Sequence, residues 1–190
     1  MSLTSLLVPS FTHMLTNLSQ WLDKAAAHES AAGNDVDELM AQRLAPDMYP
    51  LAAQVRFACF QALEPTYRLR GLAVPQAWLQ VRNDGWASNE RPGTLAEARA
   101  CIAEALAVLA DLPGDALDGR PEAPIALDLP NGIIFDMDSE QYARDWSFPQ
   151  FYFHCITAYA ILRSLGVELG KADYVAHVLA YLRPGTLPQA

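Results

Sequence analysis

FPQFYFHCITAYAILR, residues 148–163, decides how the rest of the chain is read. Apolar side chains fall on nearly every side of a helix drawn through it, and such a helix belongs in the middle of a fold. Pro149 suits the first turn, where its missing N–H costs nothing. One imidazole, His154, stands among these side chains, with Tyr152 just before it and Tyr159 further along. Whether that histidine does chemistry or fills space is the question the chain has to answer.

Immediately upstream the period changes. Residues 125–137, IALDLPNGIIFDM, alternate with period two and predict a β-hairpin. A two-residue Asn131-Gly132 loop would set Leu127 against Asp136 and mix polar with apolar residues on each face. A three-residue loop, Pro130 to Gly132 with Gly132 left-handed, pairs Leu129 with Ile133, Leu127 with Phe135 and Ile125 with Met137. Only the second register gives a continuous apolar face, so it is the one expected. A short helical piece, Ser139 to Trp146, leads on to the central helix.

From the N-terminus, Leu7, Phe11, Met14, Leu15, Leu18, Leu22 and Ala25 mark one stripe of a long helix over residues 3–31. Pro9 predicts either a later start or a kink. His13 is expected at the surface, and His28 near the bundle seam. Gly33-Asn34 closes this helix, and Asn34 is placed to cap a second segment over residues 35–43. Asp47 is placed to cap the next helix, with Pro50 in its first turn and Leu51, Val55, Ala58, Cys59, Ala62 and Leu63 on its core face. Pro65 predicts a break before Tyr67. Between Gly71 and Gly93 the pattern dissolves, and Pro75, Trp78, Gly85, Trp86 and Pro92 suggest a flap lying across the bundle or against another subunit. Thr94-Leu95-Ala96-Glu97 is a capping box opening a further long helix that ends at Pro113-Gly114.

These elements make a mainly α, four-helix antiparallel bundle in a single domain spanning residues 1–190, with a small hairpin before the last long helix. Against 22 acidic residues stand 13 basic ones, for a net charge of −9, and no Lys/Arg cluster appears, which argues against nucleic acid. The longest apolar run, Phe151 to Leu162, falls short of the ~20 residues a membrane span needs. The N-terminus lacks the pattern of a signal peptide, so a cytoplasmic protein is expected. Cys59, Cys101 and Cys155 have neither metal-like nor redox-like spacing and read as small core residues. His177 is assigned no role. The acids of residues 111–118 and 136–138 lack the spacing of a calcium loop, and no phosphate-binding or nucleophile motif is present.

Three runs together resemble a known family: FTHML at 11–15, RLAPDMYPL at 43–51, and FYFH at 151–154 continued by TAYAILR at 157–163. GVELGKADY at 166–174 fits as well. The chain is similar to an uncharacterised family of DinB/YfiT-like proteins. The resemblance implies a DinB-like four-helix bundle, frequently a homodimer, whose better-studied relatives hold a divalent metal through three histidines. One of these opens helix 2, and two lie in HxxxH spacing on the last helix. Some such relatives are thiol-dependent transferases or isomerases. Here His154 matches one last-helix ligand, but Ala158 stands four residues on, and helix 2 opens with Asp47, Met48 and Tyr49. Two of three ligands are absent, so a degenerate metal site with no metal and no cofactor is expected.

The residues themselves leave three readings open. The first is a small-molecule pocket at the bundle end lined by His28, Asp47, Tyr152, His154 and Tyr159, serving either an enzyme or a carrier. The second is a metal site rebuilt from His28, Asp47 and His154. The third is a non-catalytic dimeric module whose interface is helix 1 and the tryptophan-bearing flap. Beside these, His154 could simply be a buried histidine satisfied by a hydroxyl.

Overall fold

The computed structural model describes residues 2–120, 124–129 and 131–186. Helix α1 runs Leu3–Ala32, opened by the Ser2 side chain accepting from the Ser5 N–H and closed at Gly33 with φ 76°. Pro9 neither delays nor ends it. The Ser5 carbonyl that loses its partner there lies on the solvent side, where both Ser5 and Pro9 are exposed and water can serve it. A six-residue 3-10 turn, Val36–Ala41, follows, capped by Asp35 rather than Asn34, and it buries Leu39 and Met40.

Helix α2 spans Leu51–Arg68 and carries Pro65 inside it. The expected break does not occur. Only the last turn follows the proline, and that turn is held by the Thr66 hydroxyl donating to the Leu63 carbonyl at 2.7 Å and by Arg68 Nε donating to Glu64 at 2.8 Å. Pro50, not Asp47, occupies the cap position, and no side chain caps it. Its φ of −74° already suits the entry, and Asp47 is left exposed in the preceding turn.

The expected flap is a helix. Residues Gln76–Trp86 form α3, which packs along α2 and buries Trp78, while Trp86 stays exposed beneath the Arg82 guanidinium. Pro75 and Gly85 are not loop punctuation here. Pro75 is the N-cap, and a Cβ at Gly85 would stand 2.5 Å from the Phe57 ring. Close packing against α2 demands the glycine. Helix α4, Leu95–Ala110, opens with the expected Thr94/Glu97 capping box.

The strands are β1, Ile125–Asp128, and β2, Ile134–Met137, paired antiparallel with Ile125 opposite Met137 and Leu127 opposite Phe135. This is the three-residue-loop register. Gly132 has φ 84° and the Leu129 N–H donates to the Ile133 carbonyl at 2.8 Å, while Pro130 lies outside the described residues. Only β1 buries its apolar residues; Ile133, Ile134 and Phe135 are exposed. Arg68 tethers the hairpin to α2 through the Ala126 carbonyl and Asp128.

A short α5, Ser139–Gln141, passes into a π-helical turn, Tyr142–Ser147, and without interruption into α6, Phe148–Ser164. Helix α6 packs on α2 along one side and on α1 along the other, and α4 completes the bundle against α1 and α2. Phe11, Trp21, Phe60, Tyr142 and Phe151 are the largest side chains sealed between them. The described chain ends in α7, Lys171–Tyr174, and a 3-10 turn, Ala176–Tyr181, that folds back on α1. No helix among the described residues is long and apolar enough to cross a membrane.

Candidate functional site

The polar centre on α6 is built by two helices. His154 faces α2, and its Nδ1 lies 2.9 Å from Gln54 Oε1 in the first turn of that helix. The other end of the Gln54 amide, Nε2, donates to the Tyr49 carbonyl at 3.1 Å. A carbonyl only accepts, so this bond fixes which end of the amide is NH₂ and leaves Oε1 turned to the imidazole. Nδ1 must then carry the proton. The tautomer is assigned by the network, and Nε2 keeps a lone pair with no hydrogen-bond partner among the described residues.

The surroundings are aromatic. The Phe57 ring centroid is 5.0 Å from the imidazole, the Phe153 ring is 5.3 Å away, and Tyr49 stands edge-on to Phe57 at 5.4 Å. Desolvation among these rings lowers the His154 pKa to about 4. The imidazole is therefore neutral near pH 7, an acceptor at Nε2 and a weak base.

The other sequence-predicted residues do not gather around it. Tyr152 and Tyr159 lie on the α1 side of α6. Tyr152 packs on Phe148 and Phe151 and lies beside Ser10, and burial raises its phenol pKa. Tyr159 stands edge-on to Trp21 and Tyr174. His28 is exposed at the opposite end of α6, where a Cβ on Gly166 would stand 3.8 Å from its Nε2. The helix from His154 to Ser164 alone spans roughly 15 Å at about 1.5 Å per residue. Asp47 belongs to the same end as Gln54 but is exposed. The His28, Asp47 and His154 triad is thus not assembled, and no group of three His, Cys, Asp or Glu side chains among the described residues is placed to hold a metal.

The donors also argue against the three-histidine site by their chemistry. Ala158, one turn beyond His154, is wholly buried, and the α2 side chain that reaches His154 is an amide. A neutral amide oxygen that is already hydrogen-bonded is a poor partner for zinc, which takes thiolate, imidazole or carboxylate. Gln54 escapes a first reading of the sequence, yet it has a signal: it sits three residues after Leu51 and four before Ala58, a polar side chain in the core stripe.

A second cluster, also missed, lies between α1, α6 and the C-terminal turns. Asn17, buried, donates from Nδ2 to the Tyr174 carbonyl at 2.9 Å and lies 3.4 Å from His177 Nδ1. His177 stacks on His13, which is partly buried rather than exposed, at 4.8 Å. Trp21 Nε1 donates to the Asp173 carbonyl at 3.2 Å.

Comparison with known proteins agrees with the helical fold. A family model described as a domain of unknown function, DUF1993, matches residues 3–175. A crystal structure of a DinB family member from Shewanella denitrificans is similar at 31% identity and a TM-score of 0.76, covering 98% of this chain and 96% of that one. No curated protein matches. A model covering nearly the whole bundle, together with a full-length DinB neighbour of the same fold, places the sequence plainly: the chain belongs to the DUF1993 family of uncharacterised, DinB-like helical proteins.

Proposed function

We propose that this protein binds a small molecule at the Gln54 end of the bundle, with His154 Nε2 as the hydrogen-bond acceptor and Tyr49, Phe57 and Phe153 as the walls. The superfamily metal site is degenerate in this reading. The observation that carries it is the doubly engaged Gln54 amide, which spends a buried side chain on holding one imidazole in one tautomer. An uncharged, planar ligand with an N–H or O–H donor suits a neutral acceptor among aromatic rings. Binding is favoured over proton abstraction because a base of pKa about 4 is poorly matched to work near neutrality. Asp47, at the same end, is the outer polar candidate; His28, Tyr152 and Tyr159 fall outside the site.

Imidazole NMR of labelled protein, run against a fragment set of planar N–H and O–H donors, tests this. Saturable shifts at His154 Nε2 that vanish in His154→Phe are expected. Shifts confined to other residues would overturn the site. Titration with Zn²⁺ and Ni²⁺ tests degeneracy, and stoichiometric binding lost in His154→Phe would revive the metal-dependent transferase or isomerase.

A second reading, a non-catalytic homodimer, is favoured by Phe153 and Ile156, 58% and 50% exposed on the outward face of α6. Apolar side chains of that size, clustered on one helix face, suit a subunit interface. Sedimentation as a monomer across the micromolar range would remove it.

A further inference from the structure

The hairpin has one edge held and one edge open. In an antiparallel pair, opposed residues alternate between those that exchange N–H···O bonds and those whose backbone groups point outward. The Leu129 N–H donates to the Ile133 carbonyl, so Leu127 with Phe135 and Ile125 with Met137 are the bonded pairs that follow. The backbone groups of Ala126 and Asp128 then face outward from β1, and those of Ile134 and Asp136 outward from β2. Arg68 agrees with this parity on β1: its Nη1 donates to the Ala126 carbonyl at 3.3 Å, and its Nη2 lies 3.6 Å from Asp128. On β2 the N–H and C=O groups of Ile134 and Asp136 have no partner among the described residues.

The side chains along the open edge invite pairing. Ile134 is 60% exposed and Phe135 43%. Strand β2 carries no lysine or proline and its register has no bulge, so it lacks the devices that keep an edge from pairing. Its two faces differ. The inner face continues from buried Ile125 and Leu127 to Met137 and Phe135, whose ring lies 6.3 Å from Trp146. The outer face carries Ile134 and Asp136, with Asp128 across the pair. Two carboxylates thus stand on the outer face, and the cation beside them, Arg68, is on the β1 side. A second copy of this chain would bring the same carboxylates and another net charge of −9 to the seam, whereas a basic strand would bring the opposite charge.

We infer that β2 is a docking edge for an extended peptide of alternating apolar and basic residues, which adds to the hairpin as a third, antiparallel strand. The peptide backbone bonds to Ile134 and Asp136, its apolar side chains lie beside Phe135 and Met137, and a lysine or arginine stands opposite Asp136. A two-stranded ribbon is marginal alone, and a third strand both completes the free backbone groups and covers the exposed Phe135. The edge lies at the Arg68 end of α2, about 21 Å along that helix from Gln54, so it is separate from the His154 site.

The test titrates the isotope-labelled whole chain with the capped peptide KVKVTV, whose first valine, second lysine, second valine and threonine fall opposite Met137, Asp136, Phe135 and Ile134. Saturable amide shifts and slowed hydrogen exchange are expected at Ile134 and Asp136. The amides of Phe135 and Met137, already bonded to β1, should keep the protection they have in the free protein. The acidic peptide EVEVTV should bind several-fold more weakly, and added salt should narrow the gap. Asp136→Lys should reverse the preference between the two peptides, a result that loss of folding does not produce. N-methylation of the second lysine and the threonine of KVKVTV should abolish binding, because it removes the two N–H groups that face β2. Absence of shifts at Ile134 and Asp136 at millimolar KVKVTV would overturn the proposal, as would equal binding of the acidic or the N-methylated peptide. So would a dimer in sedimentation whose Ile134 and Asp136 amides are protected without peptide, since a second copy would then hold the edge.

Discussion

Helix α6 meets its two neighbours in opposite ways. Toward α1 it presents Tyr159 to Trp21 and Tyr174, and the last described turns close over that contact: Trp21 Nε1 donates to the Asp173 carbonyl, Asn17 Nδ2 to the Tyr174 carbonyl, and Lys24 pairs with Asp173 at 2.6 Å. Each of these polar groups has found a protein partner. Toward α2 it presents His154, whose Nδ1 is held by Gln54 while Nε2 is bonded to no described residue. Both seams contain histidine and aromatic rings, so composition does not tell them apart. Hydrogen-bond accounting does: a closed set of partners builds a fold, and a lone pair held in place without a partner is what a ligand could use.

The largest effect belongs to the closed seam. Trp21 is 1% exposed, so Trp21→Ala removes its ring from two aromatic contacts and leaves the Asp173 carbonyl without its donor. A loss of about 3–5 kcal/mol is expected, read from urea unfolding. A loss below ~1 kcal/mol would mean that the C-terminal turns are not the cover they look like, and the contrast between the seams would fail.

Next comes the pH dependence of the open seam. His154 titrates at about 4 when folded, against 6.5 for the ordinary imidazole. The unfolded chain therefore takes up a proton first as pH falls. Stability is full above 6.5 and declines as pH falls toward about 4, after which this contribution stays constant. For a partly buried ring the difference is on the order of 2 kcal/mol. Comparing the parent protein with His154→Phe isolates it, because carboxylate titrations are common to both. Equal slopes between pH 6.5 and 4 in the two proteins would show that the imidazole is hydrated and the aromatic enclosure weak.

How much of this could be read in the chain depends on how local each cause is. The Thr94 capping box, the Gly33 stop and the hairpin register follow from neighbouring residues, and all appear as expected. Helix α3 was hidden because its glycine answers to Phe57, more than two dozen residues earlier in the chain, and no local pattern announces that contact. At the site, the grouping of Tyr152 and Tyr159 with His154 contradicts helical spacing itself: at about 100° per residue, steps of two and five turn both tyrosines away from the imidazole. Gln54 was legible as a polar interruption of a core stripe. Its partner was not, because nothing in the first turn of α2 says which α6 residue lies across from it.

The smallest expected effect on stability gives the sharpest test of the open seam. In Gln54→Glu a carboxylate replaces the amide that binds His154 Nδ1–H, while the donor to the Tyr49 carbonyl is lost. The lost donor costs about 1 kcal/mol at neutral pH. The carboxylate favours the imidazolium, so the His154 pKa should climb from about 4 to above the ordinary 6.5. The sign of the linkage then reverses. A histidine whose folded pKa exceeds its unfolded value adds stability that is fully present below the unfolded pKa and is lost as pH rises through the folded one. Between pH 8 and about 5.5, Gln54→Glu should therefore gain stability on acidification where the parent loses it, until the new carboxylate begins to protonate. NMR titration of the His154 ring reads the cause directly. An unchanged midpoint would mean that Oε1 of residue 54 does not hold Nδ1, and the tautomer assignment on which the binding site rests would fall with it.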